Sequence, residues 1–144
     1  MLKTIIVALD ISDLSERVIE ALETLQIESK TKIVLSHVLP SPGTEGDLTV
    51  DRPHKSQEVL YRSIEKQLHS YQAQLACETE SEIVSGDPAE EIIRLANIYK
   101  ADLIVIGTRG LKGVKRIIEG SVSSQVVADS ICSVLVVKPS SEKK

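Results

Sequence analysis

The sequence predicts a single α/β domain over residues 1–144: a doubly wound sheet of five mainly parallel strands in the order 3-2-1-4-5, with helices on both faces. Two observations predict it. Short, nearly continuous apolar runs, such as Thr4 to Leu9 and Ala101 to Ile106, read as strands buried on both faces of a parallel sheet. Between such runs lie longer segments whose apolar residues recur at helical spacing. Strands that alternate with helices in this way require crossover connections, which are right-handed.

The first strand, Thr4 to Leu9, stops at Asp10. Ser12 or Asp13 can cap the helix that follows, in which Leu14, Val18, Leu22 and Leu25 form one buried stripe. The second strand is Lys32 to Leu39, and Pro40, Pro42 and Gly43 end it. Residues 40–53 form a turn-rich, polar and flexible loop, a candidate lid or partner surface with an ordinary variable loop as the alternative. Leu60, Ile64, Leu68, Tyr71 and Leu75 then mark a helix from about His54 to Ala76.

The third strand, about Glu78 to Val84, puts Glu78, Glu80 and Glu82 on one face. So polar a strand belongs at an edge, with its glutamate face wet. Gly86, Asp87 and Pro88 read as turn, N-cap and first helical residue, because proline costs little where its N–H would be orphaned. Ile92, Ile93, Leu95 and Ala96 bury the helix they open. The fourth strand is Ala101 to Ile106, a last helix runs from about Ser121 to Ser130, and a last strand covers Ser133 to Val137. Residues 139–144 read as a disordered tail.

Composition narrows the function. A chain of 144 residues can bury a core without staples. Its three tyrosines are the whole aromatic content, so Ile, Val, Leu and Ala must fill that core. The net charge of −4 argues against nucleic acid or an acidic membrane as partner. No segment has the length of a membrane span, and no signal peptide is read at Met1, so a cytoplasmic protein is expected. Cys77 and Cys132 fit neither metal nor redox spacing and are expected to be reduced thiols. The dinucleotide fingerprint, the P-loop, zinc spacings among His37, His54 and His69, and the G-x-S-x-G nucleophile are all missing.

The remaining stretch, Ile104 to Ser123, carries the chemistry. Its apolar run ends in Gly107, Gly110 follows, and Gly120 and Ser121 stand just before a helix. Glycines at a strand end let an anion approach backbone amides, and a helix N-terminus adds unpaired N–H groups and positive potential. In the predicted strand order Asp10 and Gly107 end adjacent strands at the point where the winding reverses, which is where ligands bind in such sheets.

The order Gly107-x-x-Gly110-x9-Gly120-Ser121 resembles the nucleotide-binding signature of the universal stress protein family, in its ATP-binding branch. Asp10, His37-Val38, Gly86-Asp87-Pro88 and the run from Cys132 to Val137 are similar to other landmarks of the family, so the resemblance covers nearly the whole chain.

The resemblance implies an adenine nucleotide, ATP or AMP, as ligand. Asp10 would take the ribose, a helix cap being its alternative role, and the backbone at Val38 would meet the adenine edge. Gly107, Arg109, Gly110, Gly120, Ser121, Val122 and Ser123 would surround the phosphates, with Arg109 the weakest member, and Ile106 would be a further nucleotide-binding residue. His37 is set aside as a packed histidine.

Mg2+ or Mn2+ would come only through the phosphates, since no protein ligand set is seen. No residue of the motif is placed as a general base, so a stress-response regulatory module with slow or no hydrolysis is expected rather than a fast enzyme. The alternative is a dimeric interaction module of the same fold that binds no nucleotide. In either case the resemblance implies a homodimer through the last strand, Val134, Leu135, Val136 and Val137, which closes an exposed sheet edge.

Overall fold

The computed structural model describes residues 2–10, 13–39, 54–107 and 122–138. The expected flexible loop 40–53, the tail 139–144 and Ser12 lie outside them. Five strands, β1 (Thr4–Ala8), β2 (Lys32–Leu39), β3 (Glu78–Ser85), β4 (Leu103–Gly107) and β5 (Ser133–Val137), form one sheet in the order β3-β2-β1-β4-β5. Every pairing is parallel. Helices α1 (Asp13–Thr24), α2 (His54–Ala73), α3 (Pro88–Tyr99) and α4 (Val122–Asp129) supply the crossovers.

The alternation of side chains along each strand divides the core in two. Ile5, Val7, Ile33 and Leu35 pack on one face against Val18, Ile19 and Leu22 of α1 and Ile64 and Leu68 of α2. Ile6, Val34, Ile104 and Ile106 pack on the other against Ile92, Leu95 and Ala96 of α3 and Val126 of α4. The largest fully buried side chains among the described residues are all Ile, Leu or Val, as the scarcity of aromatics requires.

Element ends follow from local hydrogen bonding. Asp87 caps α3, its Oδ2 accepting from the Glu90 N–H at 3.0 Å, and Pro88 stands at the first turn. Gly86 before them has φ of 141°, a conformation that disfavours any other residue. At the far end of α3, Lys100 adopts the left-handed φ of 55°, and the Ala101 N–H donates back to Ala96 O at 2.9 Å. Ala101 thus belongs to the helix cap, and β4 starts at Leu103 rather than Ala101. α2 ends at Ala73, short of Ala76, because the N–H groups of Gln74 and Leu75 take tighter bonds to Tyr71 O and Gln72 O.

β3 is an edge strand, but its glutamate face is not simply wet. Tyr99, from the last turn of α3, lies with its hydroxyl oxygen 2.7 Å from Glu80 Oε1 and 2.5 Å from Glu82 Oε2, and both glutamates are half-buried. Lys32 of β2 approaches Glu80 Oε2 to 2.9 Å and sits 5.2 Å over the Tyr99 ring. The hydrogen bond to Lys32, followed by that from Tyr99, holds the Glu80 carboxyl below its ordinary range, while burial and then the two carboxylates push the Tyr99 hydroxyl up. Periodicity alone could not show this, since the partner comes from a distant helix. Cys77 and Cys132 are free and half-buried, and burial raises both thiol pKa values.

The start of the central pair is tied by Asp102, whose Oδ2 accepts from the backbone N–H groups of Lys3 at 2.8 Å and Thr4 at 3.0 Å. Those two bonds, Thr4's first, hold its carboxyl below the usual range. Asp102→Ala should cost about 0.5–1 kcal/mol, less than the roughly 1.5–3 kcal/mol of a hydrogen bond to a charged group, because the site is exposed. Folding lowers this pKa, so the contribution is complete above about pH 4 and is lost as pH falls through the carboxylate range. Denaturant titrations of wild type and variant should therefore differ at pH 7 and converge in acid.

Candidate functional site

The reversal of winding between β1 and β4 opens a crevice at their carboxyl ends. Ala8 is flanked in register by Ser36 of β2 and Ile106 of β4, and these three rungs form the floor. Beyond Ala8 the backbone continues along β2, with the Leu9 N–H donating to Ser36 O at 2.9 Å, before Asp10 turns away. Beyond Ile106 the strand ends in Gly107, where no Cβ narrows the opening.

A cavity of about 390 Å³ occupies this crevice, a size suited to a small-molecule ligand. Helices from both faces wall it. Ser15 and Val18 of α1 come from one side, Pro88 and Ile92 of α3 from the other, and Val122 and Ser123 from the start of α4. Val18, Val38, Ile92, Ile106 and Val122 make much of the lining apolar, and Asp10 contributes a carboxylate at the rim.

The polar groups are ordered. The Ser36 hydroxyl is buried and donates to Val7 O at 3.0 Å. Ser15, 1% exposed, lies with Oγ 3.5 Å from Asp10 Oδ1, a long contact at the limit of a hydrogen bond. Ser123, 8% exposed, lies in the first turn of α4. His37 is half-buried, with Nδ1 2.8 Å from Leu9 O.

Six residues expected in the site, Asp10, Val38, Ile106, Gly107, Val122 and Ser123, line this one cavity although they come from four separate parts of the chain. Arg109, Gly110, Gly120 and Ser121 lie outside the described residues. His37, set aside on the sequence, is both packed against a backbone carbonyl and part of the lining. Ser15, Val18, Pro88 and Ile92 also line the cavity without having been singled out for it. Their apolar members belong to helical stripes that look the same whether they face core or ligand. Among the described residues, no three His, Cys, Asp or Glu side chains are grouped to hold a metal ion, and no helix is long and apolar enough to cross a membrane.

Comparison with known proteins agrees with this architecture. The pattern of the Universal stress protein family matches residues 1–138. A universal stress protein of Thermus aquaticus is 33% identical over 144 residues, covering 96% of this chain and 100% of its own length. Universal stress protein MJ0531 of Methanocaldococcus jannaschii is 50% identical over 58 residues, a stretch covering 40% of this chain and 34% of that protein. Among solved structures, MJ0577 superposes with a TM-score of 0.82 at 25% identity, covering 97% of this chain and 98% of that one. A universal stress protein in complex with cAMP superposes with a TM-score of 0.70 at 27% identity, over 96% of this chain and 98% of that one.

The crevice is spare volume, so it should accept a side chain that a filled core would reject. Ala8→Leu, on the cavity floor, should cost less than the roughly 1–3 kcal/mol typical of overpacking a filled core. Guanidinium unfolding of the variant against wild type measures this directly, and a cost above that range would show that the floor is already packed.

Proposed function

The chain belongs to the universal stress protein family, and on that premise we propose that it binds an adenine nucleotide, ATP or AMP, in the crevice between β1 and β4. One observation carries the reading: a carboxylate at the end of β1 and the first turn of a helix after β4 border the same largely apolar cavity. An acceptor-only carboxylate suits ribose hydroxyls, apolar walls suit a purine, and backbone N–H groups at a helix start suit phosphate.

In this reading Asp10 takes the ribose and Val38 the edge of the base. Gly107, Val122 and Ser123 meet the phosphates together with Arg109, Gly110, Gly120 and Ser121, and Ile106 lines the same cavity. The cAMP-bound relative supports adenine as the base. Mg2+ or Mn2+ would enter with the phosphates. The protein would act in the cytoplasm as a nucleotide-responsive regulator of the stress response, with slow or no hydrolysis.

A homodimer through β5 belongs to the same proposal. β5 lies at the edge of the sheet, and Val127 (53% exposed) and Ile131 (88% exposed) flank it. Antiparallel pairing of Val134 to Val137 with a second copy would close that edge. Sedimentation at micromolar concentration should give a dimer, and a monomer alone would count against this pairing.

The nucleotide reading is tested by thermal unfolding with Mg-ATP, AMP, cAMP and GTP. Adenine ligand at about 100 times its dissociation constant should add about 2.7 kcal/mol, or on the order of ten degrees. Gly120→Glu should abolish the shift, and Asp10→Ala should weaken AMP about tenfold, with each shift read against the variant's own unliganded midpoint. A folded protein with no shift for any nucleotide would redirect the search to protein partners.

A further inference from the structure

His37 has two ring nitrogens, and the fold has already committed one of them. Nδ1 lies 2.8 Å from Leu9 O. A carbonyl oxygen only accepts, so a hydrogen bond there requires the proton on Nδ1. The neutral ring is then fixed in one tautomer, and Nε2 is left with a lone pair and no proton. The constraint is mutual. The Leu9 N–H donates to Ser36 O at 2.9 Å, so both backbone groups of Leu9 are bound to β2, and the ring is held beside the residue that precedes Asp10.

The half-buried His37 lines the cavity next to Val38. Of the side chains that line it, Asp10 is an acceptor, while Ser36 spends its proton on Val7 O. We propose that His37 is a specificity-determining residue of this cavity, its Nε2 accepting a hydrogen bond from the exocyclic amine of a 6-aminopurine. The inference rests on the nucleotide reading above and deepens it. A purine with a carbonyl at position 6 sets one acceptor against another, and leaving both unpaired in a partly dry site costs binding. A purine with hydrogen at position 6 leaves the lone pair unmet without the repulsion.

The experiment measures dissociation constants of AMP, IMP and purine riboside 5′-monophosphate by calorimetry on wild type, His37→Asn and His37→Phe. Asparagine keeps an N–H that can reach Leu9 O but lacks the second ring nitrogen, and phenylalanine keeps the ring shape without polar atoms. Wild type should bind AMP at least about tenfold more tightly than either other ligand, and both variants should bring the three within about threefold of one another, chiefly by weakening AMP.

An unchanged AMP preference in both variants overturns the proposal. So does an equal weakening of all three ligands, which would mark His37 as structural only, or a wild-type preference for IMP, which would mean that the ring donates. If no ligand binds the folded wild type, the nucleotide reading itself fails, a result distinct from a change in ratio.

Discussion

The parallel pairing of β1 with β4 is the constraint on which the rest of the structure depends. Ile5 to Ala8 run in register with Leu103 to Ile106, and β2 flanks β1 on its other side. Chain order thus reverses across one row of hydrogen bonds. Helices that follow β1 must turn to one face and those that follow β3 and β4 to the other, so among the described residues no helix covers the carboxyl ends of the central pair. The crevice is a consequence of the winding, before any side chain in it is chosen.

The same pairing explains why an aliphatic core suffices. β1, β2 and β4 bury both faces, and Ile5, Ile6, Val7, Ile33, Val34, Leu35, Ile104 and Val105 have no exposed surface. Branched side chains of similar volume tile a flat pleated surface well and leave little room for rings. The tyrosines are instead placed outside the centre. Tyr99 closes the gap between α3 and the outer strand through Glu80 and Glu82, so hydrogen bonds join the polar edge strand to its helix beside the apolar contact that Val84 makes with the same layer.

Much of this was legible in the sequence because it is local or periodic. β2 and β5 have the bounds their apolar runs predict, and the cap and turn at Gly86 to Pro88 follow from residue chemistry alone. What periodicity could not reach depends on partners far along the chain. The Tyr99 contacts on the otherwise wet glutamate face of β3 come from another element, and the αL cap at Lys100 that keeps Ala101 out of β4 leaves no pattern of apolar residues. The cavity shows both limits. Asp10 and Gly107 are visible as strand ends, whereas Ile92 is indistinguishable from a core residue and His37 has two roles at once.

Two helices begin at the cavity, and their charges differ in a way that gives it direction. α3 meets it through Pro88, but Asp87 already caps that helix and Glu90 and Glu91 follow in its first turn. Carboxylates there satisfy the free N–H groups and oppose a second anion. α4 meets the cavity through Val122 and Ser123 and has no acidic residue in its first turn. The Asp10 carboxylate at the end of β1 is the acidic side chain that lines the cavity among the described residues. In the proposed reading the anionic tail of the ligand lies toward α4 and its hydroxyls toward Asp10. Charge placement around a topological opening, more than any single contact, is what the proposed nucleotide pose draws on.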